Sequence, residues 1–120
     1  MTEQRLKLGA WGEEQAARYL RRCGVKILHR NYRTPVGEID IIGRHRKTLL
    51  FVEVKTRRTT VCGTPAEAVG PAKQRQILRT AEWFLQQENL PKLQPRFDVI
   101  SVLGDQDVAE IQHIENAFGI

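Results

Sequence analysis

The stretch Thr48-Leu49-Leu50-Phe51-Val52-Glu53-Val54-Lys55 decides how this 120-residue chain is read. It is apolar on both faces of an extended chain except for one glutamate, the pattern of a strand buried between two layers. Upstream, Glu38–Arg44 also reads as a strand, and the short polar connection between the two suggests a hairpin. Downstream, Thr56–Gly70 reads as a loop, with one helical turn expected over Ala66–Val69. Pro71 stands where the first residue of a helix belongs. That helix runs to about Gln87, with Ile77, Ala81 and Phe84 inward. Arg96–Leu103 reads as a third main strand. The helix before it is long enough for a right-handed crossover between parallel neighbours.

At the N-terminus, Glu3–Cys23 reads as a helix, and Gly24 caps it. Its apolar stripe is Leu6, Ala10, Ala17 and Leu20, and Glu13 falls in the gap of that stripe with Glu14 on its flank. A carboxylate on a core-facing stripe needs a reason. Val25–Leu28 is an expected edge strand, Thr34–Gly37 a turn, Gly104–Asp107 another turn, and Val108–Ile114 a last, weaker strand. Its apolar residues Val108, Ile111 and Ile114 form a strip for the first helix to cover, or for a second copy of the chain in a homodimer. The expected architecture is one α/β domain spanning residues 1–120, a mixed sheet flanked by helices.

Composition narrows the function classes. Hydrophobic residues make up 41% and charged residues 28%, ordinary for a globular protein. The longest apolar run, Leu49–Val52, is far short of a membrane span, and acidic residues stand where a signal peptide would be apolar, so a cytoplasmic address with no membrane partner is expected. Cys23 and Cys62 are too few for a disulfide framework, and His29, His45 and His113 lack ligand spacing. Lys and Arg outnumber Asp and Glu by 19 to 14. The surplus is clustered at Arg44–Lys47, Lys55–Arg58 and Lys73–Arg79. Clustered cations suit a polyanion such as nucleic acid, because neutralising phosphates releases counterions.

The hairpin brings acids together. If Arg44 faces Leu49, facing residues share one index sum and Asp40 lies across from Glu53. Lys55, two residues past Glu53, shares its face, and Glu38 is expected on the side of Asp40. Adjacent buried carboxylates repel and lose hydration, so they call for a proton, a basic partner or a metal. Lys55 alone does not balance Glu13, Asp40 and Glu53, whereas a hard cation with oxygen ligands does. Asp40 and Glu53 are therefore the expected ligands of Mg²⁺ or Mn²⁺. Carboxylates, a divalent cation and an ammonium are the parts that phosphodiester hydrolysis uses.

The ordered motifs Gly12-Glu13-Glu14, Asn31-Tyr32-Arg33, Gly37-Glu38-Ile39-Asp40, Phe51-Val52-Glu53-Val54-Lys55-Thr56-Arg57, Gly63-Thr64-Pro65 and Lys73-Gln74-Arg75 resemble the YraN-type family of small bacterial proteins. The likeness covers about Leu8 to Phe97. That family resembles Holliday junction resolvases and other PD-(D/E)xK nucleases, which implies a restriction-endonuclease-like fold. It also implies a catalytic set of Asp40, Glu53 and Lys55, with Glu13 as a further acid. Ile39-Asp40 stands where the superfamily's name has proline-aspartate. Arg30, Arg33, Arg57, Lys73, Gln74 and Arg75 are the expected nucleic-acid contacts, with DNA favoured. Two readings follow: a metal-dependent endonuclease, or a nucleic-acid-binding protein that keeps the fold without turnover.

Overall fold

A computed structural model describes residues 3–58, 69–88, 92–105 and 108–119, with the side chains of Arg5 and Asp105 outside that description. The order of elements is α1 (Glu3–Arg22), β1 (Lys26–Thr34), β2 (Gly37–His45), β3 (Thr48–Arg57), α2 (Pro71–Gln87), β4 (Gln94–Asp105) and β5 (Val108–Phe118). The strands form one mixed sheet in the order β1-β2-β3-β4-β5. Among the described residues only the β3–β4 pair is parallel, as a crossover through α2 requires. The architecture is a five-stranded mixed sheet with two flanking helices, compatible with a restriction-endonuclease-like fold.

Strand β3 is central because its side chains feed both faces. Leu49 and Phe51 join Ile77, Ala81 and Phe84 of α2 in one core. Leu50 and Val52 join Ala16, Ala17 and Leu20 of α1 in the other. Continuing the alternation sends Glu53 and Lys55 to the α2 face and Val54 to the α1 face. Where α1 stops, the Val25 N–H donates to the Leu20 carbonyl at 2.9 Å and the Gly24 N–H to the Arg21 carbonyl at 3.0 Å. Gly24 takes the left-handed φ of 87° that this cap needs.

Several sequence expectations are corrected. Leu6 is 56% exposed and Ala10 is exposed, so the stripe of α1 that packs on the sheet is Gly12, Ala16, Ala17 and Leu20. β1 extends to Thr34, which places Arg30 and Arg33 on the edge strand itself. An edge strand has one unpaired side, and its polar residues there are hydrated. β5 continues to Phe118, where Phe118 stacks on Phe97. Its expected apolar strip is split: Ile111 packs with the α1 core, Ile114 with the α2 core, and Val108 is 72% exposed. A spacing of three cannot hold one face of a strand with period two. The helical turn expected at residues 66–69 and the second half of the turn after Gly104 fall largely outside the described residues.

Candidate metal and acid site

The ladder between β2 and β3 has the expected register, with Arg44 facing Leu49, and runs as far as Ile41 facing Val52. Beyond that pair a side chain takes over from the backbone. The Val54 N–H donates to Asp40 Oδ2 at 2.8 Å. Period-two alternation fails at the same point: Ile39 and Ile42 both join the α2-side core, while Ile41 joins the α1-side core. The regular alternation over Glu38, Asp40 and Ile42 is thereby broken at Asp40. Asp40 sits where the chain changes face, with its carboxylate turned to the neighbouring strand.

That placement puts Asp40 between two other acids. On one side is Glu53, only 5% exposed. Its carboxyl is pushed up to about 8, first by burial and then by a hydrogen bond to Asp40 and the Asp40 charge, against the pull of Lys73 and Lys55. The Lys55 and Lys73 ammonium groups each lie 3.6 Å from the same oxygen, Glu53 Oε2. Two cations at that distance do not offset the loss of hydration and the adjacent carboxylate. On the other side is Glu13, whose carboxyl is raised by burial and by Asp40, while Arg30 and Asn31 lower it. Glu13 Oε1 is buried without a hydrogen-bond partner. It lines a cavity of about 330 Å³ together with Leu8, Gly9, Asp40, Val54 and Thr56.

Gly12 explains how α1 delivers Glu13 there. A methyl group at Gly12 would overlap the Thr56 hydroxyl, so only glycine lets the helix lie this close to the end of β3. The remaining sequence-predicted residues are placed less centrally. Arg30 donates to Glu14 Oε1 at 2.8 Å, and Arg33 lies 3.3 Å from Glu38 in an exposed pair. Gln74 donates its amide to the Val69 carbonyl at 2.8 Å, closing the entry to α2. Arg57 lies at the end of β3, and Arg75 is exposed.

A second polar cluster was not anticipated. Asp98 is fully buried on β4, where its two oxygens accept from Arg96 Nε and Nη2 at 2.9 Å each and from the Asn116 N–H at 3.0 Å. His113 Nε2 lies 2.7 Å from Asp98 Oδ2, and a carboxylate only accepts, so Nε2 carries the proton. The other ring nitrogen, His113 Nδ1, is hydrogen-bonded to the Tyr19 hydroxyl, 3.0 Å away. Burial opposes the charge on Asp98, but the bonds from His113, Arg96 and Asn116 hold its carboxyl below the usual value of 3.8. The available signal was Asp98 itself, which interrupts the apolar face made by Ile100 and Val102. This network ties α1, β4 and β5 together, with Asp98 facing Val52 in the β3–β4 ladder.

A family model described as uncharacterised protein family UPF0102 matches residues 12–102, from the glycine under Thr56 to the core of β4. The chain belongs to this family. It is 62% identical over 120 residues to a UPF0102 protein of Syntrophotalea carbinolica, covering 100% of this chain and 98% of that relative. A UPF0102 protein of Caldicellulosiruptor saccharolyticus is 45% identical over 114 residues, 93% of this chain and 97% of the relative. One from Geobacter sulfurreducens is 48% identical over 112 residues, 92% and 88% of the two chains. The UPF0102 match contains every residue of the acidic site, Gly12 and Lys73 included. No helix of this chain among the described residues is long and apolar enough to cross a membrane.

Proposed function

We propose that this UPF0102 chain is a metal-dependent endonuclease acting on nucleic acid, with DNA the favoured target and Mg²⁺ or Mn²⁺ the cofactor. The observation that carries the reading is Glu53: a buried carboxyl set against a second carboxyl, Asp40, with the Lys55 ammonium 3.6 Å away. Such a pair is costly as two anions and becomes favourable around a hard cation. Among the described residues no group of three or more His, Cys, Asp or Glu is arranged to cage a cation. Two carboxylates nevertheless suit Mg²⁺, which is commonly held by one or two protein carboxylates plus substrate phosphates.

Asp40 and Glu53 would hold the cation, which supplies Lewis acidity toward a phosphoryl oxygen. The Asp40 carboxylate is oriented by the Val54 N–H, which donates to its Oδ2. Lys55 follows Glu53 on the same face and donates to developing negative charge at the reacting phosphate. Glu13, with its raised carboxyl and an oxygen lacking any partner, is suited to take or give a proton inside the cavity. Arg30, Arg33, Arg57, Lys73, Gln74 and Arg75 would contact the nucleic-acid backbone, making affinity fall steeply with salt.

The rival is a nucleic-acid-binding protein that keeps the fold and its basic residues without turnover. Incubation with branched, single-stranded and duplex substrates, with Mg²⁺ or Mn²⁺, separates the two. Cleavage by the wild type and none by Asp40→Asn is the expected result. Salt-sensitive binding with no product from any substrate would establish the rival.

A further inference from the structure

Glu53 has one ammonium more than the proposed chemistry uses. Lys55 comes from the same strand, but Lys73 comes from the first turn of α2, and both reach Glu53 Oε2 at 3.6 Å. The position of Lys73 is held by its surroundings. Its ammonium also donates to Gln76 Oε1 at 3.1 Å. Gln76 in turn lies against the start of β2, where a side chain at Gly37 would collide with Gln76 and with the Thr80 hydroxyl. Thr80 donates to the Gln76 carbonyl at 2.8 Å. Lys73 is therefore steered toward Glu53 by a packed helix face.

The location is unfavourable for a lysine on helix grounds alone. The first turn of α2 contains no acidic residue, and its N-cap Gly70 provides no side-chain cap. A cation there adds to the positive end of the helix dipole instead of opposing it. The combination of helix end, Lys73 and exposed Arg75 is an anion-seeking surface beside Glu53. Charge balance completes the argument. Asp40 and Glu53 as anions carry two negative charges, which a divalent cation cancels, leaving both lysines without a local anion. Lys55 is spoken for by the reaction; Lys73 is not.

We infer that Lys73 is an exchangeable partner of Glu53, held against its carboxyl group when the cation is absent and turned to a nucleic-acid phosphate when the cation occupies Asp40 and Glu53. This rests on the proposed metal site. It makes a prediction opposite in sign to that of a supporting role. Removing Lys73 takes away a competitor and a like charge, so metal binding should tighten while nucleic-acid binding weakens.

The test is calorimetric titration of Mn²⁺ alone into the wild type, Lys73→Met, Lys73→Gln and Glu53→Gln. A second arm measures binding of a labelled duplex in Ca²⁺ over a range of salt. Both Lys73 variants should bind Mn²⁺ roughly tenfold tighter, the scale set by one neighbouring charge. They should bind duplex more weakly, with a salt slope reduced by about one. Equal or weaker Mn²⁺ binding by both folded variants overturns the exchange and leaves the metal site standing. Wild type and Glu53→Gln that are alike in binding no Mn²⁺ would remove the metal site and the exchange with it.

Discussion

Replacing Glu53 by glutamine in the metal-free protein should make it more stable at neutral and alkaline pH. The Glu53 carboxyl is raised from 4.5 to about 8 by burial and by Asp40. Between those values the folded chain holds a proton that the unfolded chain has released. Stability then falls as pH rises, because the slope follows protons bound unfolded minus protons bound folded. The contribution is fully present below the unfolded value of 4.5 and is lost as pH passes through about 8. Its slope is at most about 1.4 kcal/mol per pH unit, and across the window it sums to about 3–5 kcal/mol. Only 5% of Glu53 is exposed, so solvent screening reduces this little. Glutamine imitates the protonated acid and has no such slope. Urea denaturation in a chelator at several pH values between about 5 and 8 measures the difference. The two proteins should differ by less than about 1 kcal/mol at the acidic end, with the variant ahead by about 3 kcal/mol or more at the alkaline end. Adding Mn²⁺ should then stabilise the wild type and leave the variant unmoved. Parallel curves for the two proteins would refute the strained-carboxylate account of the site.

Gly12→Ala forces a methyl group into Thr56, and overpacking of this kind should cost about 1–3 kcal/mol in urea unfolding. It should also lower any cleavage, by moving Glu13 out of the cavity; an unchanged Cm would show that the contact yields freely. Lys55→Ala should reduce single-turnover cleavage by roughly a hundredfold or more with metal binding nearly intact. A variant that melts early yet cuts at the wild-type rate would make Lys55 a counter-ion only. Asp98→Asn leaves Arg96 and His113 without their buried anion and should cost about 3–5 kcal/mol. Because the Asp98 carboxyl is held below its unfolded value of 3.8, its contribution is present above that value and lost as pH falls below it. An acid-unfolding curve that Asp98→Asn leaves in place would contradict this.

Where local rules act alone, the chain could be read directly. Pro71 opens α2 because its missing N–H costs nothing there, Gly24 closes α1 because it accepts a positive φ, and Leu49–Val52 must be covered on both faces. The register of β2 on β3, taken with Arg44 facing Leu49, is the one the structure has. From these came Glu53 and Lys55 on one face and Asp40 at the level of Glu53. The change of face at Asp40 was not legible, because it depends on the carboxylate replacing a backbone acceptor for the Val54 N–H. Nor was the convergence of Lys73 on Glu53, which needs α2 seated on β2 at Gly37, or the Asp98–His113–Tyr19 chain, whose members lie 15 and 94 residues apart. Periodicity and caps are properties of neighbours in the chain, so the amino-acid sequence by itself determined the elements and their order. Burial, and with it the charge state of Glu53, is a property of what packs above and below a residue. Only the tertiary structure decided that.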